Sequence, residues 1–325
     1  MSDGPEFLSC DWGTSSFRIR WIKADQVIRE FQDGTGCRTL FDEALASQKS
    51  RRALFESFLR GTLDRWEGTG SKIPLVISGM ASSTIGWQEV PYARTPLRLD
   101  ASNLRFELLY WNKPPWIGET YLISGLASDD EILRGEETEA IGLLSGLQIT
   151  GDRILILPGT HSKHLLIQDS AVTKITTYMT GELFDVLARH SILRATIDLG
   201  SLNNPDSANL AAFDSGAQAA KEFGLASSLF KTRTRSVLKR RPASENAWFL
   251  SGLLIGSEIN ELLGVGKSIP VLIGGARHLR ELYVRTLKSF GGDLLQWEEF
   301  SNDRLQSAIP RAHELFLKQR SQRYS

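Results

Sequence analysis

The sequence predicts an α/β protein of about two domains, and three observations lead there. Short strand-type runs with period two alternate with longer runs of helical period. The 325 residues, 41% of them hydrophobic, suffice for a large core divided between domains. One strand–loop–strand pattern occurs twice, a little under half the chain apart.

In chain order, residues 7–10 read as a short buried strand and 11–16 as a small polar loop. Phe17, Ile19 and Trp21 then alternate with Arg18 and Arg20, the period of a half-buried strand, so the loop is a hairpin turn. From 43 to 66 the period is helical: Leu54, Phe58, Leu59, Leu63 and Trp66 share a face, and Gly68 closes the segment. Residues 73–78 form another buried strand. Residues 79–118, rich in Gly, Pro and Trp, read as irregular, and long irregular segments in compact domains are often functional. Residues 135–147 are helical, with Glu136, Glu137 and Glu139 at the start; capping of the helix dipole accounts for at least two of the three. Strand 154–157, loop 158–163 and strand 165–167 follow, then long helices near 206–229 and 247–263, with Gly264 as a C-cap. A strand at 271–273 runs into Gly274-Gly275 and a helix from about Arg277, and 303–319 is an amphipathic tail helix.

The charge is balanced, 38 basic against 38 acidic residues, so neither nucleic acid nor an anionic membrane is an expected partner. Cys10 and Cys37 have no paired-ligand spacing, which argues against structural zinc or a disulfide framework. No run approaches the roughly 20 apolar residues of a membrane span. Asp3 and Glu6 precede the first apolar run, so no signal peptide is expected and a cytoplasmic location is. The basic cluster Lys231, Arg233, Arg235, Lys239, Arg240 and Arg241 reads as a solvated loop or helix end; the alternative is a mobile basic segment near bound phosphates.

The repeated pattern carries the chemistry. DWGTSSFRIRWI in the first hairpin aligns with LPGTHSKHLLIQ, so that Gly13 matches Gly159, Thr14 matches Thr160 and Ser16 matches Ser162. Such loops suit phosphate: glycine lets the backbone approach closely, successive N–H groups form an anion nest, and hydroxyls add donors. A strand follows each loop where a Walker A motif would have a helix. Only the first loop offers a carboxylate, because Leu157 stands opposite Asp11. A carboxylate beside phosphates needs an intervening cation, so Asp11 implies Mg2+; the alternative role is a turn residue bonding its own backbone.

With DWGTSS, GMASSTIGWQEVPY (79–92), RGEETE (134–139), LPGTHSK (157–163), MTGELF (179–184), HS (190–191) and FLSGLLIGSE (249–258), the chain resembles the 2-dehydro-3-deoxygalactonokinase family of the actin-like ATPase superfamily. The segments run in order over most of the chain, although about the last 50 residues carry little of the likeness. The resemblance implies two ribonuclease H-like domains of the actin/hexokinase/Hsp70 type, 1–134 and 135–325, with an interdomain cleft and with the last helix packing back on the first domain. It implies phosphoryl transfer from MgATP to the 6-hydroxyl of 2-dehydro-3-deoxy-galactonate. Asp11 would hold Mg2+ through water. Gly13, Thr14, Ser15, Gly159, Thr160, His161, Ser162 and Lys163 would bind the ATP phosphates, and Gly274 and Gly275 would form the adenosine-side turn.

A group must also accept the hydroxyl proton. In related sugar kinases an acid follows a glycine at the start of the second domain, which points to Glu136, with Glu137 next and Glu182 third. The sugar acid needs hydrogen-bond donors, for which Ser83, Thr84, Gln88 and Tyr92 are candidates; Trp87 either packs on the carbon chain or belongs to the core. Two departures from the family are Thr84, where a larger polar residue is usual, and His164, where Trp is frequent. The epimer accepted and the oligomeric state, a homodimer included, stay open. The alternatives are a kinase of another sugar or 2-keto-3-deoxy acid, and a non-catalytic nucleotide switch of the actin or Hsp70 type.

Overall fold

A computed structural model of the chain describes residues 4–66, 72–203, 205–264, 269–291 and 296–322. Gly68 lies outside these. The chain divides into two compact units: residues 1–151, 166–175 and 301–325 form unit 1, and 152–165 with 176–300 form unit 2. The expected division fell at 134/135 with the last helix packing back on the first domain; the C-terminal helix does group with unit 1, but so does the helix after Gly135.

Unit 1 opens with β1 (Glu6–Trp12), β2 (Phe17–Lys23) and β3 (Gln26–Asp33), followed by α1 (Cys37–Ser47), α2 (Arg51–Leu63) and β4 (Ile73–Gly79). Short strands β5 (Ala93–Arg94), β6 (Leu97–Arg98) and β7 (Phe106–Leu108) precede β8 (Ile117–Ile123), β9 (Leu126–Ala127), β10 (Ile132–Leu133) and α3 (Glu136–Leu144). The main sheet has the order β3-β2-β1-β4-β8-β7. β1, β2 and β3 are antiparallel neighbours, while β4 runs parallel to β1 and β8 parallel to β4.

The expected helix 43–66 is two helices, because Gln48 takes a left-handed conformation (φ 55°) and Ser50 caps α2 by accepting from the Ala53 N–H. Asp11 and Trp12 belong to β1, so the loop proper is Gly13–Ser16. The core of unit 1 is aromatic: Trp12 meets Phe17 edge-on at 4.8 Å and packs on Phe55 at 4.9 Å. Trp87 joins it, 3% exposed, with Trp111 edge-on at 5.5 Å, which settles Trp87 as a core residue.

Unit 2 holds β11 (Arg153–Leu157), β12 (Ser162–Gln168) and β13 (Ala171–Tyr178), the last two continuing into unit 1, where Ala171 and Val172 pair with β6. Then come α4 (Thr180–His190), α5 (Ser207–Phe223), α6 (Leu225–Leu229), α7 (Lys231–Lys239), α8 (Ala243–Gly264), β14 (Val271–Ile273), α9 (Arg277–Gly291) and β15 (Trp297–Glu299). Its strands lie in the order β15-β14-β11-β12-β13, with β14 parallel to both β11 and β15. The first five main strands of unit 1 read β3-β2-β1-β4-β8, the same plan. The repeat seen in two short loops therefore extends to strand order, as two ribonuclease H-like domains require. The helix expected over 206–229 breaks at Gly224 (φ 78°). The chain ends in α10 (Asn302–Gln322), which packs in unit 1 against α3 and β1. Among the described residues no helix is long and apolar enough to cross a membrane.

Candidate active site

In unit 1 the ends of three elements converge. β1 places Asp11 beside Ser78 of β4, and a Cβ on the following Gly79 (φ 87°) would lie 2.8 Å from the Trp12 carbonyl and 3.4 Å from Asp11 Oδ1. Gly135 (φ 112°) approaches Gly79 in turn, a Cβ there lying 3.6 Å from its Cα. These two glycines bring the start of α3 to Asp11. The result is a polar cavity of about 280 Å³ lined by Asp11, Arg18, Arg20, Arg134, Glu136 and Glu139, closed on one side by Leu305, Gln306 and Ile309 of α10.

The three acids of α3 have different environments. Glu137 is fully buried; its carboxylate accepts the Gly135 N–H at 2.7 Å and the Thr138 hydroxyl at 2.9 Å. It faces the backbone at the start of its own helix and is not part of the cavity lining. Glu136 accepts the Arg134 N–H at 3.0 Å and lines the cavity. Glu139, counted with the capping acids in the sequence, lines the cavity too. Burial, then the charges of Asp11 and Glu136, push its carboxyl up to about 7. Burial also raises Asp11, opposed by Arg18 and Arg20 and reinforced by Glu136. Arg134 ties the irregular segment to this cavity: its guanidinium donates to the Ser82 carbonyl and hydroxyl and lies 4.2 Å over the Tyr92 ring. No signal beyond its place in RGEETE marked it.

The loop 13–16 is held from behind. Its Gly13 and Thr14 carbonyls accept the Cys37 and Arg38 N–H groups of α1, each at 3.0 Å. Gly36 makes that approach possible, since a Cβ there would lie 2.3 Å from the Thr14 carbonyl. Thr14, Ser15 and Ser16 face solvent. Of the proposed sugar-acid contacts, Thr84 is exposed and Gln88 half-buried, but Ser83 is buried and its hydroxyl donates to the Met80 carbonyl of its own turn at 2.7 Å. Ser83 is thereby engaged in the backbone.

In unit 2 the second loop repeats the device. The Glu182 N–H of α4 donates to the Thr160 carbonyl at 3.0 Å, and a Cβ on Gly181 would lie 2.6 Å from the Gly159 carbonyl. A glycine before or at the first turn of a helix thus seats each loop, a likeness that the loop sequences alone did not disclose. Thr160 and His161 are exposed, and His161 Nε2 bonds Glu182. Glu182 accordingly sits with loop 2. Ser162 and Lys163 are buried. The Ser162 hydroxyl donates to Glu258 at 2.7 Å, so its proton is not available to a phosphate, contrary to expectation.

Next to Gly159 lies a cavity of about 780 Å³, mostly apolar, whose lining includes Thr180, Phe184, Leu202, Trp248, His278 and Tyr283. Gly274 and Gly275 do not line it. They turn β14 into α9, with Gly275 (φ 78°) against Pro158 of the loop, and α9 brings His278 and Tyr283 to the cavity. In the basic cluster, Lys231 lies over the Phe223 ring at 3.5 Å, and Arg235 over Phe249 at 4.3 Å with Glu245 as ion partner. These two residues are structural.

Residues 11–305 match the family model for 2-keto-3-deoxy-galactonokinase. The chain is 32% identical over 300 residues to a probable 2-dehydro-3-deoxygalactonokinase of Rhizobium meliloti (strain 1021), covering 90% of this chain and 92% of the relative. It is 27% identical over 294 residues to the 2-dehydro-3-deoxygalactonokinase of Escherichia coli (strain K12), covering 89% and 91%. A Sinorhizobium meliloti protein whose crystal structure carries the same provisional assignment superposes with a TM-score of 0.79 at 30% identity, over 94% of this chain and 97% of that one.

Proposed function

The chain belongs to the 2-keto-3-deoxy-galactonokinase family, and from that premise we propose that it transfers the γ-phosphoryl group of ATP to the 6-hydroxyl of 2-dehydro-3-deoxy-galactonate. The match over 11–305 carries the reading, because it takes in both loops and the acidic start of α3. Phosphoryl transfer asks little covalent chemistry of a protein; positioning and charge stabilisation do most of the work. The half-buried Gly13 and Gly159 and the exposed Thr14, Ser15, Thr160 and His161 supply donors for the phosphates. The apolar cavity beside Gly159 suits the nucleoside. Glu136 accepts the proton of the 6-hydroxyl as its oxygen bonds to phosphorus and ADP leaves. Thr84, Gln88 and Tyr92 face the sugar acid, with Arg134 holding Tyr92 in place.

The residues fit Mg2+ bound with the nucleotide. Among the described residues no cluster of three His, Cys, Asp or Glu side chains could hold an ion alone. Mg2+ commonly keeps several waters and takes one or two carboxylates together with substrate phosphates. Asp11 would hold it through water, and the ion supplies charge neutralisation at the phosphates.

The test is ATP consumption by the purified protein with a panel of 2-keto-3-deoxy acids and neutral sugars. Stimulation by the galactonate derivative above its epimer and the neutral sugars is expected. Tight ATP binding with no stimulation by any acceptor would indicate a nucleotide switch and end the kinase reading.

A further inference from the structure

Beneath the second loop, unit 2 buries a carboxylate that the proposed chemistry does not use. Glu258 of α8 is 2% exposed. Its Oε1 accepts the Ser162 hydroxyl at 2.7 Å and His164 Nε2 at 2.7 Å. Its Oε2 accepts the Tyr283 hydroxyl at 2.7 Å and the Thr180 hydroxyl. The four donors come from three other elements: β12, the first residue of α4, and α9. Two carboxylate oxygens offer about four lone-pair sites, and all are taken. Burial alone would raise this carboxyl, but His164 and the hydroxyls outweigh it and hold it below the usual carboxylate range. A buried charge is tolerated only when so surrounded.

We propose that Glu258 is a positioning residue for the nucleotide. It fixes the end of the phosphate loop against the start of α4 and the wall of the apolar cavity. The inference rests on the reading of this cavity and loop as the ATP site. Three of its donors bear on that site directly. Ser162 ends the loop, and Thr180 and Tyr283 line the cavity. The seam between loop and helix has no slack, since Gly181 already meets the Gly159 carbonyl with no room for a Cβ. A shift of Thr180 would therefore move Gly159 as well. His164, a departure from the family's frequent Trp, supplies one of the four donors and packs on Tyr178 with ring centroids 4.7 Å apart.

Glu258→Gln is the informative change, because it removes the charge and puts an amide NH2, a donor, where one oxygen accepts two hydrogen bonds, so that the surrounding donors must reorient. Tyr283→Phe removes a single donor and keeps the carboxylate, so it tests the same idea where Glu258→Gln proves too disruptive to fold. ATP affinity by calorimetry, KM for each substrate and thermal unfolding are measured on the whole chain. Glu258→Gln is expected to weaken ATP binding at least tenfold and Tyr283→Phe a few fold, with the sugar-acid KM within twofold of wild type. Wild-type ATP affinity in a folded variant would overturn the proposal, as would parallel loss of affinity for both substrates with a lowered Tm. Failure of the unaltered protein to bind ATP would instead sink the underlying nucleotide reading.

Discussion

Glu136 and Glu139 stand three residues apart on α3, hence on one face of the helix, and both reach the cavity that receives Asp11. Their roles separate by substitution. Glu136→Gln is expected to lower kcat by roughly 10²–10⁴, the usual contribution of a positioned general base, with the ATP dissociation constant unchanged by calorimetry. Glu139→Gln should cost less, and the reverse ranking would move the base to Glu139. Asp11→Asn should raise the Mg2+ concentration needed for half-maximal rate, measured by metal titration at fixed ATP. At this scale the sequence disclosed residue types better than their directions. Asp11 stood out because only the first loop carries a carboxylate, Leu157 standing opposite it, but nothing in GEETE says that the second acid turns inward to the Gly135 N–H while Glu136 and Glu139 line the cavity. Likewise Ser162 matched Ser16 in sequence, yet one is buried on Glu258 and the other is exposed. The partner that decides this, Glu258, is distant in the chain.

Helices in this protein meet through glycine. A Cβ on Gly252 of α8 would fall 2.0 Å from the Phe213 carbonyl of α5, and one on Gly216 of α5 would fall 2.1 Å from the Phe249 carbonyl of α8. Gly252→Ala must push the helices apart, at a cost of about 1–3 kcal/mol, read as a lowered denaturant midpoint; an unchanged midpoint would refute the contact. Between α3 and α10 the same closeness, Gly142 against the Ala308 carbonyl, seals in titratable groups of opposite tendency. Glu137 and Glu139 are pushed up to about 7, mainly by burial, so the folded chain keeps protons that the unfolded one releases, and their contribution falls as pH rises from about 4.5 to 7. Burial pushes His313 down to about 3, so the unfolded chain gains a proton that the folded chain refuses, and its contribution falls as pH drops below 6.5. Relative to wild type, His313→Gln should therefore gain stability as pH falls from 7 to 4.5, on the order of 2 kcal/mol, by urea unfolding at each pH. Long apolar-faced helices such as α8 and α10 were legible from periodicity. β3 was not: nearly all of it is exposed, at the edge of its sheet, so no alternating apolar face marks it.

The two units are not two successive pieces of chain, and this has a consequence for the molecule as a whole. The β3-β2-β1-β4-β8 plan of unit 1 has its echo in the doubled loop, and the resemblance implied that the last helix packs back on the first domain, but which side chains that 21-residue helix covers was not legible in the sequence. α10 buries Ala308, Pro310, Ala312, His313 and Phe316. Phe316 lies edge-on to Phe106 at 5.2 Å and Tyr121 at 5.3 Å. His313 Nδ1 is 2.8 Å from the Ser9 hydroxyl, Arg20 donates to the Gln306 carbonyl at 2.8 Å, and Arg304 donates to the Leu143 carbonyl at 2.6 Å. Losing burial of several side chains at roughly 1.5–3 kcal/mol for each large apolar one, together with these hydrogen bonds, approaches the 5–15 kcal/mol that typically stabilises a whole domain. A chain ending at residue 300 should therefore fail to fold unit 1, even though it keeps nearly all of the residues that match the family. Trp12, Trp21, Trp66, Trp87, Trp111 and Trp116 all belong to unit 1, so tryptophan fluorescence reports mainly on it. Red-shifted emission without a cooperative urea transition is expected of the shortened chain. Native-like emission with a cooperative transition would show that α10 is dispensable to the fold, and Leu305, Gln306 and Ile309 would then be no more than a removable wall of the acidic cavity.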